Sequence, residues 1–328
     1  MTPALRRRLL AGFAFGFVVI LALVLLSDVR AVGSHLSGFA WQLTPLILTG
    51  TLFNYGLRFL KWHFFLGRIG AQGLPWRESA RVFVAGFPLA VTPGKVGEAL
   101  KGVWLRHLAG VPVARGVTVV LAERVSDGFA VLVLSTLGVL AYPRYWPAFA
   151  AVLGLLLAGV IITQIRPLAL ALLGIAARLP VLVRASGHLR EFYEGAYALF
   201  RPLTTLAAVA LGTAAWFGEG VAMYLVLLGL GVPGGATTLA MAVFVLSFST
   251  VIGAVSTLPG GLGAAELTMT GMLTLLLGLT PGQAAAAALL IRFATLWLGV
   301  CLGLLTWLFS RDLLLLEPAD PVPSEVAG

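Results

Sequence analysis

From Pro202 to Ser310 the chain carries three charged residues, Glu219, Glu266 and Arg292. A stretch so long and so poor in charge does not stay dissolved in water. In lipid its backbone must close its own hydrogen bonds, which leaves apolar helices as the natural solution. The remainder agrees: of 328 residues 59% are hydrophobic and 11% charged, against about a quarter charged in a soluble domain. The net charge of +9 comes mostly from arginine. In a chain this apolar, that marks loops retained on the cytoplasmic side rather than a nucleic-acid surface. A single cysteine, Cys301, rules out an internal disulfide and a thiolate metal site.

The charges inside apolar sequence gather around a motif that occurs twice. Thr92-Pro93-Gly94-Lys95-Val96-Gly97-Glu98-Ala99-Leu100-Lys101 is a Pro-Gly turn opening a charged helix. Thr257-Leu258-Pro259-Gly260-Gly261-Leu262-Gly263-Ala264-Ala265-Glu266 repeats it with fewer charges. The flanks match too. Phe53 to Arg58 precedes the first turn as Ala214 to Glu219 precedes the second, and Glu123-Arg124 follows the first as Ile291-Arg292 follows the second. Two related halves are expected.

In chain order, Arg6, Arg7 and Arg8 precede an uncharged run from Leu9 to Ser27. That run is longer than a signal-peptide core of about 7–15 residues, so a retained anchor helix within residues 1–40 is expected. The first repeat, 41–165, holds a helix from Trp41 to about Leu66, a hairpin centred on Pro93, and helices over Val113–Tyr142 and Pro147–Ile165. Each arm of the hairpin has roughly 14 residues, about 21 Å, short of a hydrocarbon core of about 30 Å, which reads as a re-entrant hairpin. Residues 166–201 form a basic linker in which Leu189, Phe192, Tyr193, Tyr197 and Phe200 fall at helical spacing. They suggest an amphipathic helix on the inner membrane surface, the alternative being merely a linker. The second repeat, 202–311, holds a helix over Pro202–Leu230, a hairpin around Pro259 and a helix over Pro281–Phe309. A Pro-rich disordered tail, 312–328, closes the chain.

The expected fold is therefore an all-α polytopic membrane protein with six spanning helices and two re-entrant helical hairpins (eight helices if the arms count as spans). Counting crossings makes the two repeats opposite in topology. It leaves Arg30 and Arg144 outside and most arginines inside, with both termini cytoplasmic and the chain in the cell inner membrane. Inverted repeats with broken helices are the signature of transporters that bind near the bilayer midplane.

A charge at the centre of a span costs about 2.5–3.5 kcal/mol, so each needs a reason. The candidate substrate-binding residues are Arg58, Lys95, Glu98, Lys101, Arg124, Glu219, Glu266 and Arg292, around a polar cavity fitted to an anionic headgroup such as phosphate. Lys61, Glu123 and Asp127 are supporting charges. Glu123 and Asp127 stand four apart, Arg124 and Asp127 three apart, so they either form a stripe or bond each other. The turns themselves are Thr92, Pro93, Gly94 and Gly97 in the first copy and Pro259, Gly260, Gly261 and Gly263 in the second. The outgoing arms, starting at Gly94 and Gly260, are expected to offer free N–H donors and partial positive charge. Gly97 and Gly263 read as close-packing positions; Trp62, Trp76, Trp104 and Trp307 read as interface anchors. The competing reading is that acids and bases simply pair between helices. No metal-ligand spacing, nucleotide motif or catalytic set stands out, so no cofactor is expected.

At Thr92–Lys101, at Glu123-Arg-Val-Ser-Asp-Gly128 and at Pro259–Glu266 the chain resembles the flippase-like family that shares the transmembrane region of lysylphosphatidylglycerol synthases. The resemblance covers about residues 10–310. It implies lipid translocation by a stand-alone member, without the cytosolic domain that aminoacylates the lipid in bifunctional relatives. The expected function is movement of an anionic phospholipid or polyprenyl-phosphate-linked lipid between leaflets. The rivals are a non-transporting scaffold for a lipid- or glycolipid-synthesis enzyme and an intramembrane lipid-modifying transferase. Candidate protein partners are a lipid-synthesis enzyme and a second copy of the chain.

Overall fold

A computed structural model of the chain describes residues 29–141, 146–176, 186–310 and 312–313, with Ala14 and Val18 as isolated positions. The expected anchor helix over Leu9–Ser27, residues 142–145 of the outer loop, Arg178 and Arg184 of the linker, Arg311, and the tail from 314 onward lie outside the described residues. All regular structure among the described residues is helical.

In chain order the helices are α1 (Val29–Ser37), α2 (Thr44–Arg68), α3 (Trp76–Ala85), α4 (Leu100–Ala109), α5 (Val113–Ala141), α6 (Trp146–Gln164), α7 (Arg166–Ala176), α8 (Ser186–Leu199), α9 (Pro202–Gly229), α10 (Ala236–Val255), α11 (Ala264–Leu277), α12 (Pro281–Arg292) and α13 (Leu298–Phe309). Local chemistry sets their ends. Proline sits in the first turn of α2, α9 and α12, where its missing N–H costs nothing. Left-handed Gly110 and Gly278 close α4 and α11. Among the described residues four segments are long and apolar enough to cross a membrane: Pro202–Gly229, Ala236–Val255, Pro259–Leu277 and Pro281–Phe309. All lie in the second half.

Among the described residues the most extensive contact between helices joins α2 to α9. A Cβ added to Gly50 would meet Gly218 and Ala222, whereas one added to Gly212 would meet Lys61 and Asp127. Residue numbers rise along α2 as they fall along α9, so the two helices run antiparallel. Each hairpin then packs on the long helix of the other half. The first, through α3 and the 3-10 turn Phe87–Val91, lies on α13, and the second lies through α10 on α5. The halves interdigitate rather than stand side by side.

Three expectations change here. The first hairpin is shorter in regular helix than its arms imply, since 3-10 segments Phe87–Val91 and Pro93–Ala99 take up its tip. The second has one arm of 20 residues, α10, which is long enough to span. The tryptophans also differ from their expected place. Trp76 is exposed, but Trp62, Trp104 and Trp307 are buried, and the indole N–H groups of Trp104 and Trp307 donate to the carbonyls of Leu313 and Ala85 at 2.8 Å. All three are core rather than interface belt: Trp104 and Trp307 fix their indole N–H on carbonyls inside the bundle, while Trp62 is enclosed with its N–H unbonded among the described residues. Finally, α8 has a protein neighbour for its apolar face. It packs on α5, burying Tyr193, Ala196 and Leu199, and Arg115 pairs with Glu191 at 2.5 Å.

Candidate functional site

The two Pro-Gly turns meet. The backbone N–H of Gly94 donates to the carbonyl of Thr257 at 2.9 Å. Reaching that contact puts Lys95 and Thr257, neither of them glycine, at φ 56° and 55°. Left-handed backbone at such residues costs about 1–3 kcal/mol and persists only where the surroundings impose it. The donor that was expected to be free at Gly94 is thus engaged, and the first regular helix after it starts only at Leu100. At the second turn, Gly263 N–H is likewise taken, by Glu266 Oε2 at 2.7 Å.

Behind the joined tips lies a cavity of about 370 Å³. Seven of the eight candidate binding residues are on its wall: Arg58 from α2, Lys95, Glu98 and Lys101 from the first hairpin, Arg124 from α5, Glu219 from α9 and Arg292 from α12. Glu266 stands behind the wall and accepts from Arg292 Nε at 2.5 Å. Of the supporting charges Asp127 reaches the wall, whereas Lys61 and Glu123 are buried behind it. Gly260 and Gly261 line it as well, and the Gly260 carbonyl accepts from Arg292 at 2.8 Å. Thr92 is buried in its own turn, where its hydroxyl accepts from the Gly97 N–H at 2.9 Å. Gly97 therefore packs inside the turn rather than against a second arm. Directly after Arg292 the helix widens into a π-turn over Phe293–Trp297, a distortion common at functional sites.

The charges pair between helices rather than along them. Arg124 holds Glu98 through both carboxylate oxygens. Lys61 donates to Asp127 at 2.5 Å and Arg58 stands 3.5 Å from the same carboxylate. Lys101 donates to Glu123 at 3.3 Å and lies over the Trp62 ring at 4.7 Å. The local bond between Arg124 and Asp127 that their spacing allows does not form; each takes a partner from another helix. Once these pairs are drawn, two cavity charges remain without an ion-pair partner among the described residues, the Lys95 ammonium and the Glu219 carboxylate. Glu219 faces Arg58 and Arg292 at longer range.

Two wall residues escaped the sequence reading. Tyr55 donates its hydroxyl to the Thr295 carbonyl at 2.5 Å, and Trp216 lies under Arg58 with the guanidinium 5.8 Å from its ring centre. Both sit inside the repeated flanks, Phe53–Arg58 and Ala214–Glu219, and that recurrence was the available signal.

Residues 11–303 match the family model described as the lysylphosphatidylglycerol synthase TM region. The chain is also similar to a UPF0104 membrane protein of Methanothermobacter thermautotrophicus, 25% identical over 317 residues that span 89% of this chain and 90% of that protein. No solved structure matches the chain.

Proposed function

The chain belongs to the lysylphosphatidylglycerol synthase transmembrane-region family, and from that premise we propose that it moves a lipid with an anionic headgroup between leaflets. The headgroup, of an anionic phospholipid or a polyprenyl-phosphate-linked lipid, is drawn into the cavity behind the two tips. One observation carries this reading. Lys95, at the strained tip of the first hairpin, faces the cavity with no carboxylate within ion-pair distance among the described residues. An unneutralised ammonium in hydrocarbon is expensive unless something anionic visits it. The paired arginines around it supply planar forks suited to phosphate oxygens.

The antiparallel course of α2 and α9, with pairs Glu98–Arg124 and Glu266–Arg292 each 26 residues apart, supports an inverted-topology repeat. In this reading the short first hairpin is re-entrant and the headgroup crosses where the halves meet. The bias of arginine toward one set of loops supports, in this reading, cytoplasmic termini and an inner-membrane location.

The test is lipid movement in reconstituted vesicles, read with a labelled phosphatidylglycerol and with a polyprenyl monophosphate. Lys95→Ala and Arg292→Ala should each slow movement by about tenfold or more, the loss of a charge-assisted contact. Retained detergent-phase melting would show that the fold survives. Normal movement by both folded variants would end the proposal, and a chemically altered lipid on incubation would replace it with an enzyme.

A further inference from the structure

The charged wall is half of the cavity. Its other half is apolar, formed by Val152, Leu155 and Leu156 of α6 and by Val251, Ala254 and Val255 of α10. These two helices both pack on α5 but scarcely touch each other, so they stand as the banks of a cleft with α5 as its floor. Along α5 the residues facing the cavity are Arg124, Asp127, Gly128 and Val131, at the three- and four-residue steps that share one helix face. That face changes from charged to apolar within two turns. Gly128 sits at the change, where a Cβ would come within 3.1 Å of Leu156; its bare backbone keeps the floor low.

The cleft also opens outward. Leu155 and Val255 line the cavity, yet they are 74% and 68% exposed. A wall residue that is mostly exposed marks the rim of an opening. Neither α6 nor α10 contains a charged residue, so the rim faces hydrocarbon rather than water.

We propose that the cleft between α6 and α10 is the lateral portal and seat of the substrate's hydrocarbon chain, which lies on the Gly128–Val131 face of α5 while its headgroup reaches Lys95. This rests on the lipid-moving reading and adds to it a route and a second contact region. An occupant with only a headgroup would leave the apolar banks facing a polar interior. One with only a chain would leave the Lys95 ammonium unanswered. An amphiphile with an anionic head satisfies both ends of one continuous slot.

The experiment uses full-length protein in vesicles containing phosphatidylglycerol with a labelled acyl chain. A photoreactive benzophenone amino acid replaces Leu155, Val255 or, as a control on the lipid-exposed face of α9, Leu203, which is 82% exposed. Capture of labelled lipid at 155 and 255 should exceed capture at 203 by about tenfold and fall toward the control level in the Lys95→Ala background, since one charge contact is worth about that factor. In parallel, Leu155→Trp with Val255→Trp should slow lipid movement by about tenfold, the effect of overfilling a fitted apolar slot, and Leu203→Trp should not. Equal capture at all three positions, or normal movement through the tryptophan-filled cleft, would overturn the portal. If movement still depended on Lys95 and Arg292, the lipid-moving reading would survive with a different route. If it did not, that reading would fall on its own test.

Discussion

The two Pro-Gly turns keep one ion pair in common and differ in almost everything else. Glu98–Arg124 and Glu266–Arg292 have the same separation of 26 residues, which puts the halves in register. In that register Lys101 stands opposite Met269, Glu123 opposite Ile291 and Asp127 opposite Thr295. The first half therefore stacks two further buried ion pairs where the second uses apolar or hydroxyl side chains. Met269 and Ile291 are buried as fully as the charges they replace. The shared pair is enough to brace a turn against the helix behind it. The first half also carries Lys95, a cavity cation without an ion-pair partner among the described residues, where the register puts Gly263 in the second. The difference thus separates bracing, which both halves need, from an unpaired cavity cation, which the first half supplies.

That separation breaks most readily at Asp127. Asp127→Ala strands Lys61, whose ammonium is fully enclosed, and should cost about 3–5 kcal/mol, the range for removing one partner of a buried pair. The register-equivalent Thr295→Ala loses one hydroxyl donating to the Ile291 carbonyl and should cost about 1 kcal/mol. Melting of the detergent-purified variants measures both, and equal losses would erase the asymmetry.

The converse is to install the first half's charge in the second. Met269→Lys alone places an unpaired ammonium in the core and should destabilise by several kcal/mol, about the 3–5 expected of an uncompensated buried charge. Adding Ile291→Glu, the register equivalent of Glu123, should recover part of that loss. If the double variant is no more stable than the single, the register is wrong.

The smallest effect sharpens the comparison at the tips. Thr257→Gly relieves left-handed backbone at a residue whose carbonyl, not its side chain, makes the contact with Gly94, so melting should rise by about 1 kcal/mol with movement retained. Lys95→Gly relieves the same strain and should stabilise by a similar amount of about 1 kcal/mol, yet it should lose lipid movement. Opposite outcomes at matched backbone angles would assign the strain at Lys95 to its ligand.

Much of this was legible in the residues. The scarcity of charge from Pro202 to Ser310 dictated membrane helices, the prolines and glycines marked their ends, and the recurrence of the turn with its flanks suggested two related halves. The cost of charge inside apolar sequence pointed to eight side chains, seven of which share the cavity wall. What spacing along one helix did not supply was partnership. Arg124 and Asp127 are near neighbours on α5, but their partners, Glu98 and Lys61, come from helices whose distance only packing sets. Burial was equally hidden for Trp62, Trp104 and Trp307. Lipid and protein interior look alike to an apolar side chain, so composition does not tell a core indole from one at the membrane surface. The cleft between α6 and α10 was invisible for the same reason: whether two apolar helices close on each other or stand apart over a third is a matter of shape, and shape is decided only when the bundle is assembled.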